Sequence, residues 1–535
     1  MISVLMNTVF SQRYFRTKTI TPDIFIILCV FMIFQIFFPV ISQAETVFNP
    51  HDLLETRINN LTREDLVRLT QMGIDIDGVW ETTARAYMLP DRLKELRSLG
   101  YEVTVIPDRI RRDSDLIQAY HSYSELTSEL KATETAHPDI CRLYNIGNSE
   151  QGRELWFMKI TDNPDIEEDE PEVKYISTMH GDEPVGTELS LNLIRVLTDE
   201  YGTDPRITAL VNEIEIWIMP LMNPDGYMSQ SRYNAKGRDL NRSFPDQNYD
   251  PNNTVADRPI ETQHVMNWAF AHSSVLSANF HTGALVVNYP YDSDPDPRAN
   301  YSATPDEPLF IELSLTYASL NEPMYNGSFD RGIINGAEWY HIRGGMQDWN
   351  YIWLGCNEVT IELNDIKWPP YSDIPDLWND NRESMLTYME WSLRGVRGVI
   401  TDSVTGQPLN ATVTVVSIAH DVFTDPDAGD YHRLLLPGTY DIRFSADGYQ
   451  TQTVQEVIVG SGNATQLNVA MVPQVPGDIN HSNSADLTDA IVTMKLLTGT
   501  DIVFPVHKDA DLNNDGKIGL QEAVYVLRKI SDPEN

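Results

Sequence analysis

The sequence predicts an α/β fold built as several consecutive domains, and three observations carry the prediction. Through the middle of the chain, apolar runs such as VKYISTM lead into helix-like stretches such as VGTELSLNLIRVLT. After Arg394 the pattern shifts to short β-rich runs separated by Gly and Pro turns. From about Val475 a tail holds two acidic loops, each running into a helix-like segment. The 535 residues suffice for roughly three or four domains with their own cores.

Residues 1–44 read as a signal peptide, because Arg13, Arg16 and Lys18 precede IFIILCVFMIFQIFFPVI and Ser42-Gln43-Ala44 supplies small residues at the first and third places before a break. The same apolar stretch also has the length, about 18 residues, of an uncleaved membrane anchor. The expected location is secreted or extracytoplasmic, periplasmic or extracellular, with no membrane contact after cleavage. Residues 45–112 alternate helix-like REDLVRLTQMG and PDRLKELRSLG with strand-like DIDGVWETTARAYML and YEVTVI, which makes a small α/β unit. It looks like a prosegment, with Arg109, Arg111 and Arg112 as a cleavage point; a permanent accessory domain is the alternative.

Residues 113–394 carry the chemistry. His180 and Glu183 in MHGDEPVG, His281 in ANFHTGA and Glu362 in VTIEL each end or closely follow an apolar β-like run. Open α/β sheets gather ligands at the carboxyl ends of their strands. A catalytic zinc needs three nitrogen or oxygen ligands and an open position for water, and two His plus one Glu meet that need. The HxxE spacing lets both side chains point one way, yet alone it is more often a surface pair. An isolated strand glutamate such as Glu362 more often faces solvent. Its neighbours Ile361 and Leu363 are expected on the opposite face of the strand. Between the histidine segments lie NPDGY, whose plain reading is a surface turn, and SRYNAKGRDLNRSFPD. Arg232, Asn241 and Arg242 there suit a site that holds a chain-terminal carboxylate, since a guanidinium takes a carboxylate in a two-point fork.

From about Tyr120 to Arg394, including YHSYSELTSELKATETAHPDICRLYNIGNSEQGRELW and YHIRGGMQDWNYIWLGCNEVTIEL, the chain resembles the zinc metallocarboxypeptidases, and within them the regulatory branch. The resemblance implies a mixed sheet with helices on both faces, one catalytic Zn2+ on His180, Glu183 and His281, and Glu362 as general base. It implies Arg232 as the group polarising the scissile carbonyl, with Asn241, Arg242 and Tyr340 holding the substrate's terminal carboxylate. Zinc lowers the pKa of its water from near 16 to about 7, which lets a carboxylate take the proton. Asp182 departs from the family, whose digestive members carry arginine and whose regulatory members usually carry asparagine at that place. The family's side-chain pocket maps to Asp292 and Gln347, and an acid at its floor favours C-terminal Lys or Arg. An acid of a solvated loop, YDSDPDPRAN, is the plain alternative for Asp292.

Residues 395–474, with VRGVITD, ATVTVVSIA, GTYDIRFSADGY and LNVAMV, predict a small antiparallel β-sandwich that resembles the transthyretin-like domain of the regulatory branch. In residues 475–535, Asp511, Asn513, Asp515, Lys517 and Glu522, with Gly516, reproduce a twelve-residue calcium loop. Asp478, Asn480, Ser482 and Asp489 form a degenerate copy in which Asn483 replaces the glycine. One or two structural Ca2+ ions are expected. The paired loops resemble a dockerin-like module, which implies docking to a cohesin-type partner.

Acids outnumber bases 78 to 39, and the net charge of −39 excludes nucleic acid as a partner and favours cationic substrates or bound calcium. The run DIEEDEPE at 165–172 reads as a solvated loop between two strands. Cys141 and Cys356 either pair or remain buried thiols. The expected function is a secreted zinc metallocarboxypeptidase acting on peptide or protein C-termini. A zinc amidase of the same fold acting on cell-wall peptides, or a surface-binding protein without activity, are the alternatives.

Overall fold

The computed structural model describes residues 53–106, 120–425, 427–482, 484–503, 506–512 and 515–531. The expected signal peptide at 1–44, the Arg109–Arg112 cluster, Asn483 and Asn513 of the expected calcium loop lie outside the described residues. The chain divides into two units, Met1–Phe48 and Asn49–Asn535, and all that follows concerns the second. Among the described residues, no helix is long and apolar enough to cross a membrane.

The first domain runs β1 (Leu54–Asn59), α1 (Arg63–Gln71), β2 (Asp75–Trp80), β3 (Thr83–Met88), α2 (Pro90–Ser98) and β4 (Glu102–Val105). A Thr62/Asp65 capping box opens α1, and Pro90 opens α2. The strands form one antiparallel sheet in the order β2-β3-β1-β4. Ala84, Ala86 and Met88 alternate inward on β3, and their core continues into Ala284, Val286, Trp339, Tyr340 and Ile342 of the next domain. This shared apolar face makes the small domain a packed cover over the large one.

The central domain is an eight-stranded mixed sheet ordered β11-β10-β12-β9-β7-β8-β6-β5. Its strands are β5 (Cys141–Asn148), β6 (Glu154–Ile160), β7 (Glu172–Ser177), β8 (Glu215–Met219), β9 (Leu276–His281), β10 (Ala284–Tyr289), β11 (Ile333–Asn335) and β12 (Asn357–Asn364). Its main helices are α3 (Tyr123–Ala136), α4 (Val185–Asp199), α5 (Pro205–Glu213), α6 (Ile260–Ala269), α7 (Glu307–Leu320), α8 (Met346–Leu354) and α9 (Ile374–Met389). The period-2 alternation of the strands divides the core in two. Ile216 and Ile218 of β8 join one cluster with Leu189, Leu193, Leu313 and Tyr388, whereas Trp217 and Met219 join the other with Met266 and Trp349. Helices therefore cover both faces, as expected, and the middle strands β7, β8, β9 and β12 are almost wholly buried.

Residues 396–471 form a sandwich of two four-stranded sheets. The first contains β13 (Val396–Asp402), β16 (Asp430–Arg433), β19 (Thr465–Gln466) and β20 (Val469–Met471); the second contains β14 (Thr412–Val415), β15 (Asp421–Phe423), β17 (Gly438–Ser445) and β18 (Gln452–Val459). The fully buried Arg433 holds the sandwich to the central domain by donating to both oxygens of Asp306, at 2.8 and 2.9 Å. Tyr351 donates to the same carboxylate at 2.8 Å.

In the tail, α10 (Leu487–Thr498) packs on α11 (Leu520–Ser531). Leu487, Ile491, Met494 and Leu497 are exposed on α10, and Leu520, Val524, Leu527 and Ile530, each 33 residues later (520 − 487 = 33), repeat that stripe on α11. The duplication thus extends from the acidic loops into the helices.

Two local readings change in the folded chain. Asn223–Tyr227 is no surface turn but a buried start of a short helix. The acidic run 165–172 is a loop, yet Glu172 is the buried first residue of β7 and Asp169 faces the sandwich. Cys141 and Cys356 are both free and buried.

Candidate active site

His180 and Glu183 lie in the segment joining β7 to α4, and His281 ends β9. Strands β9 and β12 are parallel neighbours whose register sets Glu362 opposite His281. Sheet pairing alone therefore brings together residues 81 apart (362 − 281). The β7 exit is held open by its backbone: Thr178 takes the left-handed conformation at φ 54°, and its hydroxyl donates to the Glu183 carbonyl at 3.0 Å. Gly181 packs directly on Gly226 of NPDGY, where a Cβ would come within 2.0 Å of the Gly226 carbonyl carbon. Asn223 completes the join by donating to the Met179 carbonyl at 3.2 Å.

The ligand atoms converge. His180 Nδ1 and His281 Nδ1 lie 3.0 Å apart, with Glu183 Oε1 3.0 Å from the first and Glu183 Oε2 2.8 Å from the second. Bond lengths of 2.0–2.1 Å give a tetrahedral zinc site ligand-to-ligand edges of roughly 3.3 Å, close to this spacing. Asp239 Oδ1 stands 3.2 Å from His180 Nε2, the carboxylate partner that fixes a ligating ring and leaves Nδ1 as the donor atom. All three side chains are buried, and two imidazole nitrogens confined face to face fit a shared cation.

Glu362 is 8% exposed, and its Oε2 has no hydrogen-bond partner among the described residues. Burial, with Glu183 and Asp77 adding repulsion, raises its carboxyl to about 8. A cation at the adjacent ligands opposes that shift. The orphaned oxygen, the three converging donors and their His2Glu chemistry together fit a zinc ion with a water beside it.

Three positive groups surround this centre. Arg232 is 2% exposed, with Nε and Nη2 on Asp239 Oδ2 at 2.9 and 2.8 Å and Nη1 3.0 Å from His180 Nδ1. Lys367 Nζ lies 2.9 Å from Glu183 and 3.3 Å from Asp182. Arg242 donates to the Asn241 carbonyl at 3.0 Å, while Asn241 Oδ1 accepts from Met346 N at 3.0 Å. Asp239 and Lys367 were not singled out from sequence, because neither belongs to a recognisable spacing and both meet the site only through folding.

Strand β2 of the first domain lies in this cleft. The Asp77 carboxylate pairs with Arg232 Nη1 and with Lys367 Nζ, the latter at 3.0 Å. Its backbone carbonyl accepts from the Tyr340 hydroxyl at 2.8 Å, and the Ile76 carbonyl accepts from Arg242 at 3.0 Å. Trp339 donates to the Val79 carbonyl at 2.7 Å, and Tyr233 to Asp75. Burial pushes the Asp77 carboxyl up, but Lys367, Arg232 and Arg85 outweigh it and hold it at about 2. Between Asp77, the ligand histidines and Glu362 there remains a cavity of about 10 Å3, room for about one water.

Asp292 and Gln347 are both buried. The Asp292 carboxylate accepts from Asn288 Nδ2 at 3.0 Å, and its backbone N–H donates to Asp348 at 2.9 Å. It is packed against two glycines: a Cβ on Gly336 would lie 2.0 Å from Oδ1, and one on Gly345 2.9 Å from Oδ2 and 3.8 Å from Asn241 Oδ1. Asp292 thus adjoins the Asn241 end of the cleft and is not a surface acid. In the tail, Glu522 accepts from Leu512 and Gly519 backbone N–H groups at 3.3 and 2.7 Å. Gly516 N–H donates to Asp511 at 2.6 Å and Lys517 N–H to Asp515 at 2.9 Å. In the first loop, Asp489 accepts from Ile479 and Asn480 N–H groups, and Ser482 N–H donates to both Asp478 and Asn480.

Comparison with known proteins agrees with this geometry. A zinc carboxypeptidase family profile matches residues 126–384, and a carboxypeptidase regulatory-like domain profile matches 395–472. Carboxypeptidase D of Homo sapiens is 44% identical over 384 residues, covering 68% of this chain and 28% of that protein, so the chain spans little more than a quarter of that relative. Carboxypeptidase SOL1 of Arabidopsis thaliana is 40% identical, covering 69% of this chain and 76% of the relative. The catalytic chain of carboxypeptidase N of Homo sapiens is 38% identical, with 67% and 86% covered. Among solved structures, carboxypeptidase A from Helicoverpa armigera shares the fold at a TM-score of 0.51 and 17% identity, covering 63% of this chain and 96% of that one.

Proposed function

Since this chain belongs to the zinc carboxypeptidase family, we propose that it hydrolyses the last peptide bond of peptides and proteins at the site where His180, Glu183 and His281 converge. The observation that carries the reading is the 3.0 Å approach of the two Nδ1 atoms with the Glu183 carboxylate against both. A zinc ion held there supplies Lewis acidity to a water and to the substrate carbonyl. Glu362 takes the proton of the attacking water and passes it to the leaving amine. Arg232 meets the negative charge that develops on the carbonyl oxygen, a contribution of about 3–4 kcal/mol for a preorganised donor. Asn241, Arg242 and Tyr340 hold the terminal carboxylate. The protein acceptors that Arg232, Arg242 and Tyr340 already engage on β2 support this assignment, since a substrate end offers the same acceptor chemistry.

Asp292 gives the pocket a preference for C-terminal Lys or Arg. Burial raises its carboxyl to about 6, so the side chain is ionised above that pH and neutral below it. After cleavage between residues 106 and 120, peptides ending in Arg are expected to be hydrolysed faster than those ending in Phe at pH 7.5. That advantage shrinks as pH falls through about 6, and chelation abolishes both rates. Faster release of Phe contradicts the pocket. Glu362→Gln is expected to keep its zinc and lose about 10²–10⁴-fold in turnover; near-normal turnover removes Glu362 from its role.

Residues 45–112 act as an inhibitory prosegment whose β2 occupies the cleft. Asp77→Ala removes the acid partner of Arg232 and Lys367 and is expected to give the uncut chain measurable peptide release. An uncut variant as inactive as its parent, although folded, shows that Asp77 does not secure the block. The chain is secreted after loss of residues 1–44. The tail loops bind one or two structural Ca2+ ions, and the cohesin-type partner implied by the dockerin resemblance meets the apolar stripes of α10 and α11. Calcium is expected to raise the melting temperature of the tail's transition in the full chain; an unchanged transition at millimolar calcium argues against the loops.

A further inference from the structure

We infer that the seam between the central domain and the β-sandwich is a second zinc site, built from Asp169 of the loop before β7 and from Asp430 and His432 of β16. One ligand atom from each lies within 4.8 Å of the others. His432 Nε2 stands 3.0 Å from Asp430 Oδ2 and 3.7 Å from Asp169 Oδ1. Asp430 is 2% exposed, and its other oxygen, Oδ1, is enclosed with no hydrogen-bond partner among the described residues. A buried carboxylate oxygen left unmatched costs free energy unless a proton or a cation reaches it.

The surroundings favour the cation. A further carboxyl cluster, Glu167, Glu172 and Asp425, lies beside it, with Lys159 acting on Glu167 and Lys174 on Glu172. Arg397 lies 3.1 Å from Asp169 Oδ1 and donates to the Asp169 carbonyl, which fixes the loop against the sandwich and still leaves acid in excess. His432 is 7% exposed; burial and Arg397 hold it down at about 3, so it is neutral with a lone pair to donate. Burial, Asp169 and Asp425 push the Asp430 carboxyl up to about 8. One imidazole and two carboxylates with room for a water make a tetrahedral set suited to zinc rather than to calcium, which takes oxygen ligands. A cavity of about 200 Å3 lined by His272, Ser273, Ser274, Thr424 and His432 gives an ion a path in. The bound ion ties the sandwich to the strand whose far end presents His180 and Glu183.

The test is zinc content by mass spectrometry on the full chain, loaded with excess zinc and gel-filtered. Two zinc ions per chain are expected. His281→Gln, which removes a ligand of the catalytic centre, is expected to retain one. His432→Gln is also expected to retain one, with peptide release after cleavage between residues 106 and 120 kept at the parental rate. Asp169→Asn, on the more exposed side of the seam, repeats that result should His432→Gln fold poorly. A parental chain with a single zinc that His281→Gln abolishes and His432→Gln or Asp169→Asn leaves in place overturns the seam site while sparing the catalytic one. A parental chain with one zinc that survives His281→Gln and is lost in His432→Gln supports the seam and counts against the catalytic reading.

Discussion

Two imidazole nitrogens confined 3.0 Å apart, with one carboxylate spanning both, are the constraint on which the rest of the structure turns. Such a cluster suits a cation at its centre, and much of the central domain serves to hold it. The parallel β9–β12 register delivers Glu362 beside His281. The Gly181–Gly226 contact, which admits no side chain, fixes the turn that carries His180 and Glu183. Asp239 then serves two masters, orienting His180 and neutralising Arg232, so a candidate metal ligand and the cationic group are positioned by one shared network.

The same network explains how the first domain shuts the site. Arg232 and Lys367 already lean on Asp239, Glu183 and Asp182, and Asp77 adds a further acid to both from a rigid strand. The backbone carbonyls of Ile76 and Asp77 take the donors of Arg242 and Tyr340, and the apolar core shared with Ala284, Val286 and Trp339 provides the non-polar adhesion. Polar pairing sets the register of the cover, and hydrophobic burial holds it down. The 10 Å3 that remains admits about one water and no peptide.

What could be read from sequence divides along physical lines. His180, Glu183, His281 and Glu362 were legible because each stands at the end of an apolar run, and strand ends converge in an α/β sheet. The helices on both faces were expected from the family resemblance, and only the folded chain shows Ile216 and Ile218 entering one core cluster and Trp217 and Met219 the other. Asp239, Lys367 and Asp77 were not legible, because their partners lie 59, 184 and 155 residues away in the chain and nothing local marks them. Gly336 and Gly345 read as ordinary glycines until the Asp292 carboxylate is seen against them. The acidic run 165–172 misleads for a related reason: charge density predicts solvent, whereas the docked sandwich sets His432 near Asp169 and the central domain sets His272 near Glu172.

The central claim, a hydrolytic cleft closed by its own N-terminal domain, is tested most directly by the rate of Arg release from a C-terminal Arg peptide before and after proteolytic cleavage between residues 106 and 120. The account predicts a negligible rate for the intact chain and a rise of at least an order of magnitude once the first domain is cut and removed, reversed when a chelator strips the metal. Equal rates for the intact and the cut chain, or a rate indifferent to the chelator, would contradict it.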